Sequence, residues 1–284
     1  MNQIFITDLD GTLLNSRGYL SVESEAILNQ VATETSHKIA FATARGLASA
    51  QKVIQRVQWN FPVLLNNGAI IYDWTAQKIL KINGIENQYV QKILSISADC
   101  GISPFVFTLN EHFEEGIFYQ KNPSSGMQSF LDLRPKDPRF LEVDILQSHP
   151  AIENTQSLVL MFIAEYETLV PLKLYFQEHF KNEMKCLLTQ DQYIANQFVL
   201  ELSSANATKE NGITYLKNLW DIAPQDLHLF GDNLNDKGML ELEANTYAVS
   251  NAHAVILETV QHRIKSNDED GVAQVIEKRV ALQK

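Results

Sequence analysis

The sequence predicts an α/β protein whose core is a parallel sheet, with a separate α+β unit inserted into its middle. Three observations indicate this fold class. Short apolar runs alternate with helical segments over the first eighty residues, polar loops follow three of the predicted strands, and the alternation resumes after about residue 203. With 284 residues, 45% of them hydrophobic, the chain can bury a sizeable core in one large domain or two modest ones.

The first eighty residues predict three strands and two helices in alternation. The first strand spans Ile4–Thr7, and Ser21 is placed to cap the helix that follows it. An apolar run at 39–42 predicts a second, buried strand that leads directly into another helix. Residues 62–65 predict a third strand, closed by the Asn-Asn-Gly turn at 66–68.

The same alternation predicts the elements of the last eighty residues. These are a helix at 207–220, a strand at 227–230, a polar loop at 231–236, a strand at 246–249, a helix at 252–260, a strand at 263–265 and a final helix from 267 to about 280. The acidic run that opens the final helix is interpreted as a capped helix start rather than a site.

The middle of the chain, from about residue 83 to 203, has a different pattern. Helical segments at 88–98 and 169–180 stand among strand-like runs with turns between them. Those strand-like runs lie at 105–108, 116–119, 157–164 and 198–202. Mixed strands on hairpin-like connections predict an α+β unit inserted into the first domain.

Composition excludes several classes of partner. The net charge of −11 opposes binding to nucleic acid or to anionic membranes. The longest apolar runs, such as residues 158–164, are too short to span a bilayer, and no basic and apolar leader opens the sequence, so we expect a cytoplasmic protein. The two cysteines indicate neither a zinc site nor a disulfide framework, and the sequence does not indicate an oligomeric state.

The first strand ends in Asp8-Leu9-Asp10-Gly11-Thr12. Because side chains on an extended strand repeat with period two, Asp8 and Asp10 are expected to project into one small volume. Two like charges repel by roughly 4 kcal/mol at about 4 Å with an effective dielectric constant near 20, so such a pair indicates a bound cation or a shared catalytic task. The alternative is a polar turn that closes a strand.

Polar residues also follow two further predicted strands. Thr43 comes after the second strand, and Asp232 and Asp236 follow the strand at 227–230. Ligands of open parallel sheets bind outside the carboxyl ends of the strands, so these side chains are expected to converge with the first pair. Lys209 opens a predicted helix, where a cation is unfavourable to the helix dipole; it is either part of this site or a surface lysine.

Together these residues resemble the four-motif signature of the haloacid dehalogenase superfamily. The motifs are DLDGTLL at 8–14, Thr43 in IAFATAR, Lys209, and GDNLND at 231–236. The segments NNGAII from Asn66, SNAHAV from Ser250 and SNDEDGVAQVI from Ser266 are similar to the Cof-type branch of these hydrolases. The resemblance implies a Rossmann-like core.

Spacing places the insertion within this signature. Only 35 residues separate Asp8 from Thr43, whereas 166 separate Thr43 from Lys209. The resemblance then implies a C2-type cap domain of the B form, at 84–203, on a catalytic core made of 1–83 and 204–284. One departure is Ala44, which stands where the family motif ATGR has glycine.

The resemblance also implies a role for each residue. Asp8 would attack phosphorus and form an aspartyl-phosphate, and Asp10 would protonate the leaving group and then deprotonate the hydrolytic water. Mg²⁺ would be held by the Asp8 carboxylate, the Asp10 carbonyl, Asp232 and waters, and Asp236 would steady either those waters or Lys209. Lys209 would neutralise the charge shared by Asp8 and the phosphoryl group.

The remaining site residues are expected to bind the phosphoryl group. They are Thr43, Gly11, Thr12, the backbone near Ala44, and Asn235, for which a turn-forming role is an equal alternative. Arg45 is expected either to aid phosphate binding or to cap the following helix.

The leading hypothesis is a Mg²⁺-dependent phosphatase of small phosphorylated metabolites, sugar phosphates in particular. A sugar phosphomutase of the same fold and a catalytically silent metabolite-binding module are the alternatives. Asp10 argues against a halide-releasing enzyme, because that branch lacks an acid two residues after its nucleophile.

Overall fold

The computed structural model describes residues 2–191 and 194–281, and the chain divides into two compact units. The core unit comprises Met1–Ile82 and Thr208–Lys284, and the inserted unit is Asn83–Ala207. Each unit has its own sheets and helices.

The elements are numbered along the chain. The first core segment contains β1 (Ile4–Thr7), α1 (Val22–Glu34), β2 (Lys38–Phe41), α2 (Leu47–Ile54), β3 (Val63–Leu65), β4 (Ile70–Asp73) and β5 (Lys78–Ile82). The inserted unit contains α3 (Asn87–Asp99), β6 (Phe105–Leu109), β7 (Glu115–Gln120), α4 (Ser125–Asp132), β8 (Phe140–Val143), α5 (Pro150–Glu153), β9 (Gln156–Ala164), α6 (Tyr166–His179), β10 (Met184–Gln190) and β11 (Phe198–Ser204). The second core segment contains α7 (Lys209–Leu219), β12 (Leu227–Gly231), α8 (Lys237–Leu240), β13 (Asn245–Val249), α9 (Ala254–Thr259), β14 (His262–Ile264) and α10 (Gly271–Ala281).

A five-stranded parallel sheet in the order β14-β13-β12-β1-β2 forms the centre of the core unit. β1 lies between β2 and β12, and all four of its residues are buried, as expected for a strand covered on both faces. The chain runs outward from β1 to β2 on one side and from β12 to β14 on the other. The sheet order therefore reverses between β1 and β12, which is where ligands bind in open α/β sheets.

The third predicted strand, β3, belongs to a second sheet. β3 pairs with β4 in a three-stranded antiparallel sheet, β3-β4-β5, and meets the parallel sheet through one bridge between Ala42 and Leu64. The hairpin of β4 and β5 was not predicted. None of the five residues of β5 is fully buried, so the strand lacks the continuous apolar run that predicted the parallel strands.

Helix boundaries in the core unit follow local capping. The Ser21 hydroxyl accepts a hydrogen bond from the Ser24 amide at 2.9 Å, so the predicted cap of α1 is confirmed. The predicted final helix begins later than expected. Ser266 and Glu269 form a capping box on a short 3-10 turn, and Asp270 then adopts a left-handed conformation before α10 begins.

The inserted unit is built on a six-stranded sheet in the order β10-β11-β9-β6-β7-β8, antiparallel except for the pair β7 and β8. One face packs on α3 and α6, and α4 covers part of the other. The α+β prediction is confirmed. Among the elements it missed are β8 and β10, which are the two edge strands and lack a fully buried apolar run. No helix within the described ranges is long and apolar enough to cross a membrane.

Candidate active site

Two carboxylates meet at the point where the order of the parallel sheet reverses. Asp8 directly follows β1, and its amide donates to the carbonyl of Phe230 in β12 at 2.9 Å. Asp232 directly follows β12. Because β1 and β12 are parallel neighbours, both side chains stand at the same sheet edge, as the sequence predicts.

Lys209 is the first residue of α7 and lies between two carboxylates. Its Nζ donates to Oδ1 of Asp8 at 2.5 Å and to Oδ1 of Asp236 at 2.6 Å, and its side chain is only 1% exposed. Thr208 caps the helix. The turn at Asn66–Gly68 packs on this helix start so closely that a Cβ on Gly68 would lie 2.3 Å from the Thr208 carbonyl oxygen.

Burial shifts the protonation equilibria of this cluster. Burial alone lowers the pKa of Lys209, but Asp236 and Asp8 outweigh it, so the pKa lies above its ordinary value and the ammonium stays charged. Burial raises the pKa of Asp8 well above its ordinary value; Lys209 opposes this shift, and the charges of Asp236 and Asp232 reinforce it. A further cation at this edge would relieve the crowding of the carboxylates.

Asp236 is fully buried and uses both of its oxygens. Oδ1 accepts from Lys209, and Oδ2 accepts from the backbone amides of Asp232 at 2.9 Å and Asn233 at 3.1 Å. Asp236 thus holds the lysine and also fixes the loop that carries Asp232.

Asp232 lies beside the turn that follows Asp10. Its Oδ1 accepts from the Thr12 hydroxyl at 2.8 Å, and Gly11 passes so close that a Cβ there would lie 2.4 Å from Oδ2. Gly11 has φ +82°, a backbone conformation that glycine adopts readily. Burial raises the pKa of Asp232 to about 6.

The carboxylate cluster has the chemistry of a site for a hard cation. One oxygen each from Asp8, Asp232 and Asp236 lie within 4.8 Å of one another. Carboxylate oxygens are the ligands that Mg²⁺ prefers in proteins. Because both oxygens of Asp236 accept hydrogen bonds, from Lys209 and from two amides, Asp8 and Asp232 are the members that could hold an ion.

Asp10 is not part of this buried cluster. β1 ends at Thr7, so the period-two geometry of a strand does not extend to Asp10. Its two carboxylate oxygens accept from Arg45, at 2.7 Å from Nε and 2.6 Å from a terminal nitrogen. The Asp10 side chain is 52% exposed and that of Arg45 is 26% exposed. The structure thus directs Asp8 and Asp10 to different partners.

Thr43 lies at the same sheet edge as Asp8 and is buried. Its carbonyl accepts from the Asn67 amide at 2.8 Å, and its hydroxyl oxygen accepts from the Arg45 amide at 3.1 Å, which leaves the hydroxyl hydrogen available to a ligand. Ala44 is exposed.

Within the described residues, the Asn235 side chain makes no hydrogen bond to any of the three carboxylates of the cluster. Its amide nitrogen donates to Oδ1 of Asn67 at 3.3 Å. Sequence reasoning did not assign Asn67 to the site, although the Asn-Asn-Gly segment was the signal. Asn67 has φ +54°, and through the Thr43 carbonyl it joins two of the loops at this edge.

Comparisons with known proteins cover nearly the whole chain. A sequence model of the haloacid dehalogenase-like hydrolases matches residues 5–276. Among curated proteins, the chain is 24% identical over 295 residues to 5-amino-6-(5-phospho-D-ribitylamino)uracil phosphatase YwtE of Bacillus subtilis, covering 97% of each protein. It is 26% identical over 290 residues to phosphatase YwpJ of the same organism, covering 96% of this chain and 98% of that one.

Solved structures share the fold. TM0651 from Thermotoga maritima has a TM-score of 0.78 at 23% identity, covering 98% of this chain and 97% of that chain. A haloacid dehalogenase-like hydrolase from Bacteroides thetaiotaomicron has a TM-score of 0.78 at 19% identity, covering 98% and 100%. At these sequence identities, the likeness shows that the proteins share a fold.

Proposed function

Because the chain belongs to the haloacid dehalogenase-like hydrolase family, we propose that it is a Mg²⁺-dependent phosphatase of small phosphorylated metabolites, acting through an aspartyl-phosphate on Asp8. The observation that carries the proposal is the buried Lys209, bound to Asp8 and Asp236 at the sheet edge where ligands bind. A lysine is buried in this way only with compensating charges, and here one of them is the proposed nucleophile.

Hydrolysis of a phosphate monoester needs a nucleophile, a proton donor and neutralisation of charge. Oδ1 of Asp8 is bound to Lys209, whereas Oδ2 accepts no hydrogen bond from the part of the chain that the structure describes. Oδ2 is therefore the oxygen that we assign to attack on phosphorus. Lys209 then offsets negative charge on the carboxylate and on the phosphoryl group together.

The proposed reaction has two steps. In the first, the Asp8 carboxylate forms a bond to phosphorus as the bond from phosphorus to the leaving oxygen breaks, and protonated Asp10 gives its proton to that oxygen. In the second, the Asp10 carboxylate removes a proton from water while the water oxygen bonds to phosphorus. The bond between phosphorus and Asp8 then breaks, which releases inorganic phosphate and restores both aspartates.

Asp10 has to leave Arg45 for this chemistry. Both of its oxygens accept hydrogen bonds from the guanidinium, and a carboxylate held in this way has no proton to give. The pair is partly exposed to solvent, so water can hydrate both groups when they separate. Arg45, once released, is a candidate to bind a phosphoryl oxygen.

We assign Mg²⁺ to the Asp8 and Asp232 carboxylates and the Asp10 carbonyl. When bound there, the ion supplies positive charge against the carboxylates and the phosphoryl oxygens. Asp236 supports this site by holding the amides of Asp232 and Asn233.

The phosphoryl oxygens are assigned to donors at the same sheet edge. The Thr43 hydroxyl, the backbone near Gly11, Thr12 and Ala44, and Asn235 are the proposed donors. Of these, Thr43 is supported most directly, because its hydroxyl hydrogen is not used by Arg45.

The inserted unit is the proposed cap that selects the substrate, with the catalytic core at 1–83 and 204–284 and the cap at 84–203. Sugar phosphates are the proposed substrate class. This class is supported by relative YwtE, whose name specifies a phosphorylated ribityl compound, itself a polyol phosphate.

Turnover of p-nitrophenyl phosphate with and without Mg²⁺ tests the proposal. We expect metal-dependent release of nitrophenol that Asp8→Asn abolishes. Asp226→Asn is the matched control, because Asp226 precedes β12 at the opposite end from Asp232. Absence of metal-dependent release by the wild type, or full activity of Asp8→Asn, would refute the assignment.

A further inference from the structure

The turn that follows Asp10 is held at both ends by asparagine side chains. The carbonyl of Gly11 accepts from the Asn251 side-chain amide at 2.8 Å. The carbonyl of Leu14, at the other end of the turn, accepts from the Asn267 side-chain amide at 2.9 Å. These two residues lie 240 and 253 positions along the chain from the carbonyls that they bind.

The two asparagines are also bonded to each other. The backbone amide of Asn267 donates to Oδ1 of Asn251 at 3.0 Å. Since a backbone amide only donates and a carbonyl only accepts, the orientation of the Asn251 amide group is fixed by its partners. Three hydrogen bonds and the backbone from Gly11 to Leu14 thus form a closed ring with Asn251 and Asn267, which we name the asparagine clamp.

The two asparagines of the clamp lie in the loops that follow the carboxyl ends of two parallel strands. Asn251 follows β13, and Asn267 lies in the 3-10 turn after β14. Both belong to segments, SNAHAV and SNDEDGVAQVI, to which the proposed reaction assigns no role. The first segment also binds the site directly, because the amide of His253 donates to the Asp232 carbonyl at 2.8 Å.

The clamped turn is in contact with the carboxylate cluster. It carries Thr12, whose hydroxyl binds Asp232, and Gly11, whose Cα faces the same carboxylate. Its position therefore affects the orientation of the Asp232 carboxylate and the placement of the Gly11 backbone, which the proposed function assigns to the phosphoryl group.

We propose that Asn251 and Asn267 are positioning residues for the reaction, which hold this turn in register with Asp232. They make no hydrogen bond to Asp8 or Lys209 within the described chain, so we infer that they act through the turn. The inference rests on the proposed function. Groups that orient ligands or substrate in this way typically change metal affinity or activity by about 10- to 100-fold when they are removed.

The test compares Asn251→Ala and Asn267→Ala with a matched control, Asn60→Ala. Asn60 makes the same kinds of bond in the core unit, since it accepts from the amide of Ile39 at 2.9 Å and donates to two backbone carbonyls. Its partners Ile39 and His37 lie around the start of β2, the sheet end away from Asp232. Urea unfolding of each variant identifies conditions in which all of them are folded.

Under those conditions we measure turnover of p-nitrophenyl phosphate and, by calorimetry, the Mg²⁺ dissociation constant. We expect both clamp variants to lose about 10- to 100-fold in kcat/KM and to bind Mg²⁺ more weakly, with the control near wild type. Because the two asparagines act as one ring, the double variant should lose little more than Asn251→Ala alone.

Asn251→Asp provides a second variant, which we expect to fold because Asn251 is exposed. It keeps the acceptor for Asn267 but has no donor for Gly11, so we expect the same loss as with alanine. Wild-type Mg²⁺ affinity in both clamp variants would overturn the inference, whether or not the wild type turns over. An inactive wild type with weakened Mg²⁺ binding in the variants would instead refute only the proposed reaction.

Discussion

Replacing Gly11 with alanine separates the cost of backbone strain from the effect of displacing Asp232, a proposed metal ligand. The new Cβ would lie 2.4 Å from Oδ2 of Asp232, about 1 Å inside ordinary van der Waals contact. The carboxylate has to rotate away, because it is the end of a flexible side chain and the Gly11 backbone is fixed. Rotation breaks the hydrogen bond from Thr12, which contributes about 0.5–1.5 kcal/mol.

Gly18→Ala is the control for the cost of placing alanine in this backbone conformation. Gly18 has φ +78°, close to the +82° of Gly11, and a Cβ there meets no atom within 4 Å. Alanine in this conformation costs about 1–2 kcal/mol at either position. We therefore expect Gly18→Ala to lower the free energy of unfolding by about 1–2 kcal/mol, and Gly11→Ala by about 1.5–3.5 kcal/mol.

The two variants should differ far more in kcat/KM than in the free energy of unfolding. Gly18→Ala is expected to keep wild-type turnover, whereas Gly11→Ala should lose about 100-fold in kcat/KM and need more Mg²⁺ for half-saturation. Urea denaturation and a Mg²⁺ titration of turnover measure the two effects. Equal turnover in both variants would show that the position of Asp232 does not matter to the reaction.

Three further predictions concern charge. Lys209→Met leaves two buried carboxylates without a counter-charge and should lower the free energy of unfolding, measured in urea at neutral pH, by about 3–5 kcal/mol. Part of this loss should be recovered at lower pH, as the carboxylates take up protons. A loss of stability that does not change with pH would contradict this prediction. Arg45→Gln should change the free energy of unfolding by less than about 1 kcal/mol, since its partner Asp10 is exposed, and a larger thermal or urea shift would contradict this. Burial lowers the pKa of His228 to about 4, below the ordinary value near 6.5, so its stabilisation is complete above about pH 6.5 and is lost as the pH falls toward 4. His228→Gln should remove up to about 3 kcal/mol of that pH dependence, and an unchanged pH profile of unfolding would count against it.

The sequence predicted the α/β class and most of the core elements from periodicity alone. It also placed Asp8, Thr43 and Asp232 at one sheet edge, because the carboxyl ends of parallel strands meet there. It did not predict β8 and β10. Edge strands bury fewer side chains, so they lack the apolar pattern by which the inner strands were recognised.

The sequence did not predict which partners surround each site residue. The spacing of Asp8 and Asp10 predicted one shared volume, but β1 ends before both, and Asp10 binds Arg45 instead. Local spacing gives the direction of a side chain only while the strand continues.

By itself, the sequence determined the family, the order of the elements and the kinds of side chain available for phosphoryl transfer. Only the tertiary structure decided that Lys209 is buried between two carboxylates and that the Asn251 amide holds the Gly11 turn. The physical reason is sequence separation. Periodicity reports burial and direction over a few neighbouring residues, whereas Lys209 meets Asp8 across 201 positions and Asn251 meets Gly11 across 240, contacts that arise only when the sheet assembles.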